Sequence, residues 1–146
     1  MIEVNELQKR RVIGKLRKHL GQLEGATVAL LGLAFKPETD DMREASSLVL
    51  AARLFAEGAK VRAYDPVASD AARDRLQGVT LVDSAEAALA GADAAVLVTE
   101  LRQIVDLDWA ALAPTMHRAV LIDGRNALDP DGMRAAGFTY EGIGRA

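Results

Sequence analysis

Three cationic side chains lie where the chain leaves apolar, strand-like runs. Lys36 and Arg43 follow the run Thr27–Leu31, and Arg125 follows the run Ala119–Ile122. Arginine presents a planar fork of donors to phosphate oxygens, whereas lysine presents a compact charge. This combination is typical of a site for a phosphorylated ligand, and helix N-termini at the same place would add partial positive charge.

The residues around these cations leave several interpretations open. The ring of Phe35 could stack on a base or cover a sugar, or it could belong to the core. Asp40 and Asp41 are better explained as caps of the helix that follows. Asp65 ends the second strand, where dinucleotide-binding folds place a ribose-binding acid, but the first turn has one glycine, Gly32, where G-x-G-x-x-G has three.

Apolar strand-like runs alternate with helical patterns along the chain. The predicted strands are Thr27–Leu31, Lys60–Tyr64, Thr80–Leu81, Ala94–Thr99, Ala119–Ile122 and Phe138–Ile143. The predicted helices are 5–20, Glu44–Glu57, Ser69–Leu76, Ser84–Ala90, Asp108–Ala113 and one that begins after Asp129. This alternation predicts an α/β fold, a Rossmann-like three-layer sandwich with a mostly parallel sheet, preceded by an N-terminal linker helix. The carboxyl ends of parallel strands share one edge, so the cations should meet there.

Residue types at the helix ends support these boundaries. Gly21 is a stop signal for the first helix. Asp83 with Glu86 fits the pairing of an N-cap with an acidic residue three positions later. Asp129 followed by Pro130 fits a cap and the first position of the last helix.

Composition narrows the class of protein. The 146 residues predict one domain, and the net charge of −3 argues against a nucleic-acid partner. The absence of cysteine excludes disulfides, thiolate metal sites and a cysteine nucleophile within this chain. His19 and His117 have no neighbours that indicate catalysis, and a metal site is not expected. No apolar run has the length of a membrane span and no signal peptide is visible, so a cytoplasmic protein without a membrane partner is expected.

Three segments, in this order, resemble the C-terminal, UDP-binding domain of UDP-glucose 6-dehydrogenases, within the wider UDP-glucose/GDP-mannose dehydrogenase family. They are Gly32–Glu44, Gly58–Pro66 and Asp123–Asn126, and the resemblance extends over residues 4–144. It implies a two-step oxidation of UDP-glucose to UDP-glucuronate by two NAD⁺. It also implies that Phe35, Lys36 and Arg125 bind the UDP-sugar, and that Arg43 reaches an NAD bound mainly by an N-terminal domain outside this chain.

The resemblance also divides the chain. Residues 1–21 would be the end of the central linker helix, which carries the homodimer interface of the full enzyme, and 22–146 the UDP-sugar-binding domain. An apolar stripe on the linker helix, if exposed, would promote non-native association. The family's nucleophilic cysteine, catalytic lysine and NAD-binding loop all lie upstream of the matched region. This chain alone is therefore predicted to be catalytically inactive.

Two alternatives stay open. The chain could be the corresponding domain of a dehydrogenase for another nucleotide sugar, such as UDP-N-acetyl-mannosamine or GDP-mannose. It could also be a free-standing nucleotide-binding module without a redox role.

Overall fold

A single sheet of parallel strands organises the chain. A computed structural model describes residues 12–32, 53–64, 79–82, 84–98, 102–123 and 128–142. Within these ranges the strands are β1 (Thr27–Leu31), β2 (Lys60–Tyr64), β3 (Val79–Leu81), β4 (Ala94–Leu97), β5 (Val120–Asp123) and β6 (Thr139–Gly142). The described strands form one six-stranded sheet in the order β3-β2-β1-β4-β5-β6, and every neighbouring pair is parallel. The predicted Rossmann-like α/β class is confirmed.

Short helical segments connect the strands. In the described part of the chain they are α1 (12–20), α2 (53–56), α3 (Ala85–Leu89), α4 (Arg102–Val105), α5 (Trp109–Leu112), a 3₁₀ turn at Ala113–Thr115 and α6 (Pro130–Ala135). The predicted helix Ser69–Leu76 and residues 5–11 of the first predicted helix lie outside the described residues.

Both faces of the sheet are covered, which explains why its central strands are apolar throughout. Strand β4 is buried at all four positions. Ala94 and Val96 face one core with α1, whereas Ala95 and Leu97 face a second core with α3 and α5. Side chains alternate between the faces of a strand, so the two cores and the sheet between them make the three layers.

Helix α1 is part of the first core. Val12, Ile13, Leu16 and Leu20 are all buried there, and Leu16 has no exposed surface. Their spacing of three and four residues puts them on one helical face, and that face packs on the sheet of the same chain. The apolar stripe, whose exposure the sequence left open, is therefore buried along the described part of this helix. Gly21 ends α1 as predicted, with φ of +82° and its N–H donating to the Arg17 carbonyl at 2.8 Å.

The caps and boundaries differ from prediction in a few places. The N-cap of α3 is Ser84, whose Oγ accepts from the Ala87 N–H at 3.0 Å, and not Asp83, which lies outside the described residues. Asp129 caps α6 as predicted, through the Gly132 N–H at 2.9 Å.

Helix α4 was not predicted. It is one turn of four residues with a single fully buried side chain, Ile104, among those described. A helical period needs several turns before it can be seen in a sequence. Strand β5 extends one residue beyond the predicted end and includes Asp123.

Candidate functional site at the carboxyl edge of the sheet

The order in which the chain adds strands to the sheet reverses between β1 and β4. From β1 the chain proceeds outward to β2 and β3, and it then returns to the other side of β1 for β4, β5 and β6. In open α/β sheets the crevice at the carboxyl ends of the two strands flanking such a reversal is where ligands bind. The strand order therefore places a candidate binding site beyond Leu31 and Leu97, the last residues of these strands.

Backbone hydrogen bonds hold the strand ends at this edge level with one another. The Gly32 N–H donates to the Tyr64 carbonyl at 2.8 Å, and the Val98 N–H donates to the Leu31 carbonyl at 2.9 Å. Gly32 has φ of +90°, a conformation that residues with a Cβ rarely adopt. The first residue after β1 therefore turns the chain out of the sheet at the start of the segment with the predicted ligands.

All four predicted site residues lie outside the described residues. Phe35, Lys36 and Arg43 belong to 33–52, and Arg125 belongs to 124–127. Asp40, Asp41 and Asp65, which were also considered, lie outside them as well. The described strands nevertheless define where these segments begin. Segment 33–52 follows β1 and segment 124–127 follows β5, at the same edge and with only β4 between them. Two strand spacings correspond to about 10 Å.

Asp123 is the buried carboxyl group of this edge. It ends β5, has no exposed surface, and is the one charged residue among the buried described residues. Its Oδ2 accepts from the Leu128 N–H at 2.8 Å and from the Tyr140 hydroxyl at 2.8 Å. The Tyr140 hydroxyl also lies 3.3 Å from the Leu128 carbonyl oxygen. These contacts join the two residues that flank segment 124–127, where Arg125 lies.

Sequence reasoning missed this role for Asp123 and did not consider Tyr140. In the sequence, Asp123 stands out only as the first residue of the segment Asp123–Asn126. One feature of the sequence could have indicated the role of Asp123, which directly follows three apolar residues of a buried strand. An acid in such a place is buried only when it has hydrogen-bonding partners. The partner Tyr140 is 17 residues away, and nothing local in the sequence identifies it.

A second cluster joins β6 to α1. The Lys15 ammonium donates to Glu141 Oε1 at 2.9 Å, and His19 Nε2 contacts Glu141 Oε2. Burial alone would raise the pKa of Glu141, but the hydrogen bonds from Lys15 and His19 and the charges of Lys15 and Lys18 outweigh it and lower the pKa to about 2. His19 therefore serves as an anchor between α1 and the edge strand.

His117 precedes β5 and lies where the strands begin, at the end of the sheet opposite to the carboxyl edge. Its Nδ1 is 2.5 Å from Asp93 Oδ1, and Asp93 Oδ2 accepts from the Thr27 N–H at 2.9 Å. Burial would raise the pKa of Asp93, but the bonds from His117 and Thr27 lower it. This pair fastens the amino ends of β1 and β4 and is remote from the carboxyl edge.

Two kinds of feature are absent from the described residues. No group of three or more histidine or acidic side chains in those ranges is arranged to hold a metal ion. None of the helices in the described ranges has the length and apolar character needed to cross a membrane.

Comparison with known proteins gives a consistent assignment. Residues 29–130 match the family described as UDP-glucose/GDP-mannose dehydrogenase family, UDP binding domain. The chain is 42% identical over 146 residues to the UDP-glucose 6-dehydrogenase YwqF of Bacillus subtilis, covering 99% of this chain and 33% of that protein. It is 49% identical over 131 residues to the UDP-glucose 6-dehydrogenase of Pseudomonas aeruginosa, covering 86% of this chain and 29% of that protein.

A solved structure agrees with this assignment. The UDP-glucose dehydrogenase of the archaeon Pyrobaculum islandicum superposes with a TM-score of 0.84 at 36% identity, over 99% of this chain and 31% of that one. The chain thus spans about a third of the length of these relatives. The matched region contains the carboxyl end of β1, from Ala29 to Leu31, together with the reversal point and β5, and these form the carboxyl edge. The chain therefore belongs to the UDP-glucose/GDP-mannose dehydrogenase family, in which it corresponds to the UDP-binding domain.

Proposed function

We propose that this chain binds the UDP part of UDP-glucose, as the nucleotide-sugar domain of an NAD-dependent UDP-glucose 6-dehydrogenase. The observation that carries the proposal is the reversal between β1 and β4 in a chain of this family, with cation-bearing segments beginning at that edge. The relatives named above are UDP-glucose dehydrogenases, which favours UDP-glucose over other nucleotide sugars.

Residue roles follow from the chemistry of the ligand. Lys36 and Arg125 supply positive charge and donors to the diphosphate, and Phe35 covers the apolar faces of the nucleotide sugar. Arg43 reaches toward NAD, which is held mainly by an N-terminal domain. The support for these roles is the common edge from which segments 33–52 and 124–127 begin.

The residues of this domain do not fit a principal NAD site. The turn after β1 has one glycine, Gly32, where the dinucleotide-binding turn has three. When held mainly by the N-terminal domain, NAD⁺ would supply the hydride acceptor for the two oxidations, and Arg43 would be the residue of this chain that contacts it. The 146 residues contain no cysteine, so the family's covalent step cannot take place on them. The part of this chain in the reaction is to bind and orient the nucleotide.

The same proposal includes the partners and location of the enzyme. Residues 1–21 are the end of a linker helix that leads to the NAD-binding domain and contributes to a homodimer, and 22–146 bind the UDP-sugar in a cytoplasmic enzyme. Because the described part of that helix packs on the sheet, the end of the linker also forms a layer of the binding domain.

A titration tests the ligand class. UDP, UDP-glucose and GDP are added separately to the ¹⁵N-labelled chain, and amide shifts and heats of binding are recorded. We expect weak binding with a preference for uridine nucleotides, because the other domain and a neighbouring subunit complete the family's site. A preference for GDP would contradict the UDP assignment, and no binding of any of the three would contradict the proposed function.

A further inference from the structure

A cavity lies at the amino ends of β1, β2 and β3, at the end of the sheet opposite to the proposed nucleotide site. It has a volume of about 250 Å³, and its lining includes Thr27, Phe55, Lys60, Arg62 and Thr80. All residues of its lining belong to the described part of the chain. Because each strand residue adds about 3.3 Å, the length of β2 separates this cavity from the carboxyl edge by roughly 13 Å.

The register of three strands brings the polar part of the lining together. Thr27 lies opposite Lys60 in the ladder of β1 and β2, and Arg62 lies opposite Thr80 in the ladder of β2 and β3. Lys60 and Arg62 are two residues apart in β2, so their side chains leave the same face of the sheet. Two threonines thus flank two positive charges, and the lining contains no acid.

The guanidinium group of Arg62 is held in place by the end of α3. Its Nη1 donates to the carbonyl oxygen of Ala90 and lies 3.4 Å from that of Ala87. These contacts involve one of the three guanidinium nitrogens, and a guanidinium group has five N–H donors. Arg62 is therefore oriented by the protein and retains donors for a ligand.

Acids on adjacent segments do not cancel the charge of this lining. Glu57 pairs with Arg17 and Asp93 pairs with His117, each at 2.5 Å. Glu24 is exposed and does not belong to the lining. The two cations of the cavity therefore favour an anion.

The apolar part of the lining is the ring of Phe55. It is 58% exposed and is the one exposed large hydrophobic side chain among the described residues. A single exposed apolar residue is common at a protein surface. This ring, however, borders a cavity with two cations, and an aromatic ring favours contact with another ring. The lining thus combines a surface for a ring with donors for an anion.

We propose that this cavity binds a small aromatic anion, an aryl phosphate or aryl carboxylate. Phe55 contacts the ring of the ligand, and Lys60 and Arg62 donate to its phosphate or carboxylate oxygens. Because contacts at exposed positions are individually weak, the ligand must carry both the ring and the charge. The site is separate from the proposed nucleotide site and does not depend on it.

Titration of the ¹⁵N-labelled chain with phenyl phosphate tests the site. We expect the amide signals of Phe55, Lys60 and Arg62 to shift, while those of Gly32 and Val98 at the carboxyl edge stay unchanged. Inorganic phosphate, which lacks the ring, and benzyl alcohol, which lacks the charge, should each bind about tenfold more weakly. Benzoate should bind at the same amides but more weakly than phenyl phosphate, because it carries less charge.

Two variants remove the ring and the charge separately. Phe55→Ala and Lys60→Ala should each weaken phenyl phosphate binding about fivefold, and because both side chains are exposed the variants should fold. Phe55→Leu keeps an apolar side chain without the ring and should retain part of the affinity. The matched control is Lys18→Ala, which removes another exposed lysine, from α1, and should bind phenyl phosphate as the wild-type chain does.

The outcomes separate this inference from the proposed function. Wild-type affinity for phenyl phosphate in Phe55→Ala and Lys60→Ala would overturn the site, as would equal affinity for inorganic phosphate, no binding, or shifts confined to the carboxyl edge. Each of these results leaves the proposed function intact, because UDP-glucose is expected to bind both variants normally. A loss of UDP-glucose affinity in the two variants would overturn the separateness of the site, whereas failure of the wild-type chain to bind UDP would contradict only the proposed function.

Discussion

At the scale of single residues, we propose that individual charges at the carboxyl edge of the sheet recognise the diphosphate. A lysine contributes a point charge, whereas an arginine can donate two parallel bonds to one phosphate, so the two residues are not interchangeable. The buried Asp123 acts differently, since it is occupied with Leu128 and Tyr140. Lys36 and Arg125, which we propose to contact the ligand, therefore differ in role from Asp123, which binds other groups of the protein.

Removing either proposed phosphate ligand should weaken nucleotide binding. We expect Lys36→Ala and Arg125→Ala each to lower UDP-glucose affinity by about tenfold, as for the loss of a charge-assisted hydrogen bond. The measurement is calorimetric or NMR titration of the folded variants. Lys60→Ala is the control, because this lysine begins β2 at the opposite edge and is exposed. If neither Lys36 nor Arg125 affects affinity, the strand-end assignment is wrong.

At the scale of elements, α1 and the edge strand β6 depend on each other. The apolar face of α1 covers the sheet, and Glu141 of β6 accepts from Lys15 and contacts His19 on the helix. An edge strand presents unpaired backbone groups on its outer side, and side-chain anchoring is one way to stabilise it. The helix that we propose to lead toward the NAD-binding domain is thereby joined to the strand carrying Tyr140.

This contact predicts a specific dependence of stability on pH. The pKa of Glu141 is lowered from 4.5 to about 2 in the folded chain, so its contribution is complete above pH 4.5 and is lost as the pH falls toward 2. Glu141→Gln should lower the free energy of unfolding at neutral pH by about 1–2 kcal/mol. It should also flatten the acid limb of the profile, as measured by denaturant unfolding at several pH values.

A control separates this contact from the loss of any glutamate. Glu86→Gln removes an exposed glutamate from the first turn of α3 and should leave the acid limb unchanged. An unaltered acid limb in Glu141→Gln would show that the ion pairs do not stabilise the folded chain.

At the scale of the whole molecule, the chain covers about a third of the dehydrogenases to which it is related. We propose that the binding energy of the nucleotide orients the sugar, whose reacting carbon is separated from the nucleotide. A domain that binds the nucleotide is expected to retain recognition without turnover.

The chain alone should therefore form no NADH from UDP-glucose and NAD⁺. It contains no cysteine for the family's covalent intermediate, and its first turn lacks the glycines of an NAD site. The measurement is NADH absorbance with the purified 146-residue protein, and the full-length Pseudomonas aeruginosa relative serves as a positive control for the assay. Turnover by this protein would refute the predicted inactivity.

The local features of this chain were predictable from its residues. Strands β1 and β2 have the predicted bounds, because a strand buried between two layers must be apolar and its neighbours must be polar or turn-forming. Gly21 ends α1 as expected, because glycine readily adopts the positive φ found there. Asp129 precedes α6 as expected, because its carboxyl group accepts from a backbone N–H of the first helical turn. The roles of Phe35, Lys36, Arg43 and Arg125 remain predictions.

The sequence by itself thus determined the fold class and the family, because these depend on patterns and motifs within short stretches. Only the tertiary structure decided that α1 is buried on its own domain, that His19 meets Glu141 across 122 residues, and that Tyr140 reaches Asp123. Such pairs depend on strand order, on register and on which face each side chain occupies. A one-residue slip in register reverses that face, and no local pattern records the register between strands that are distant in the chain.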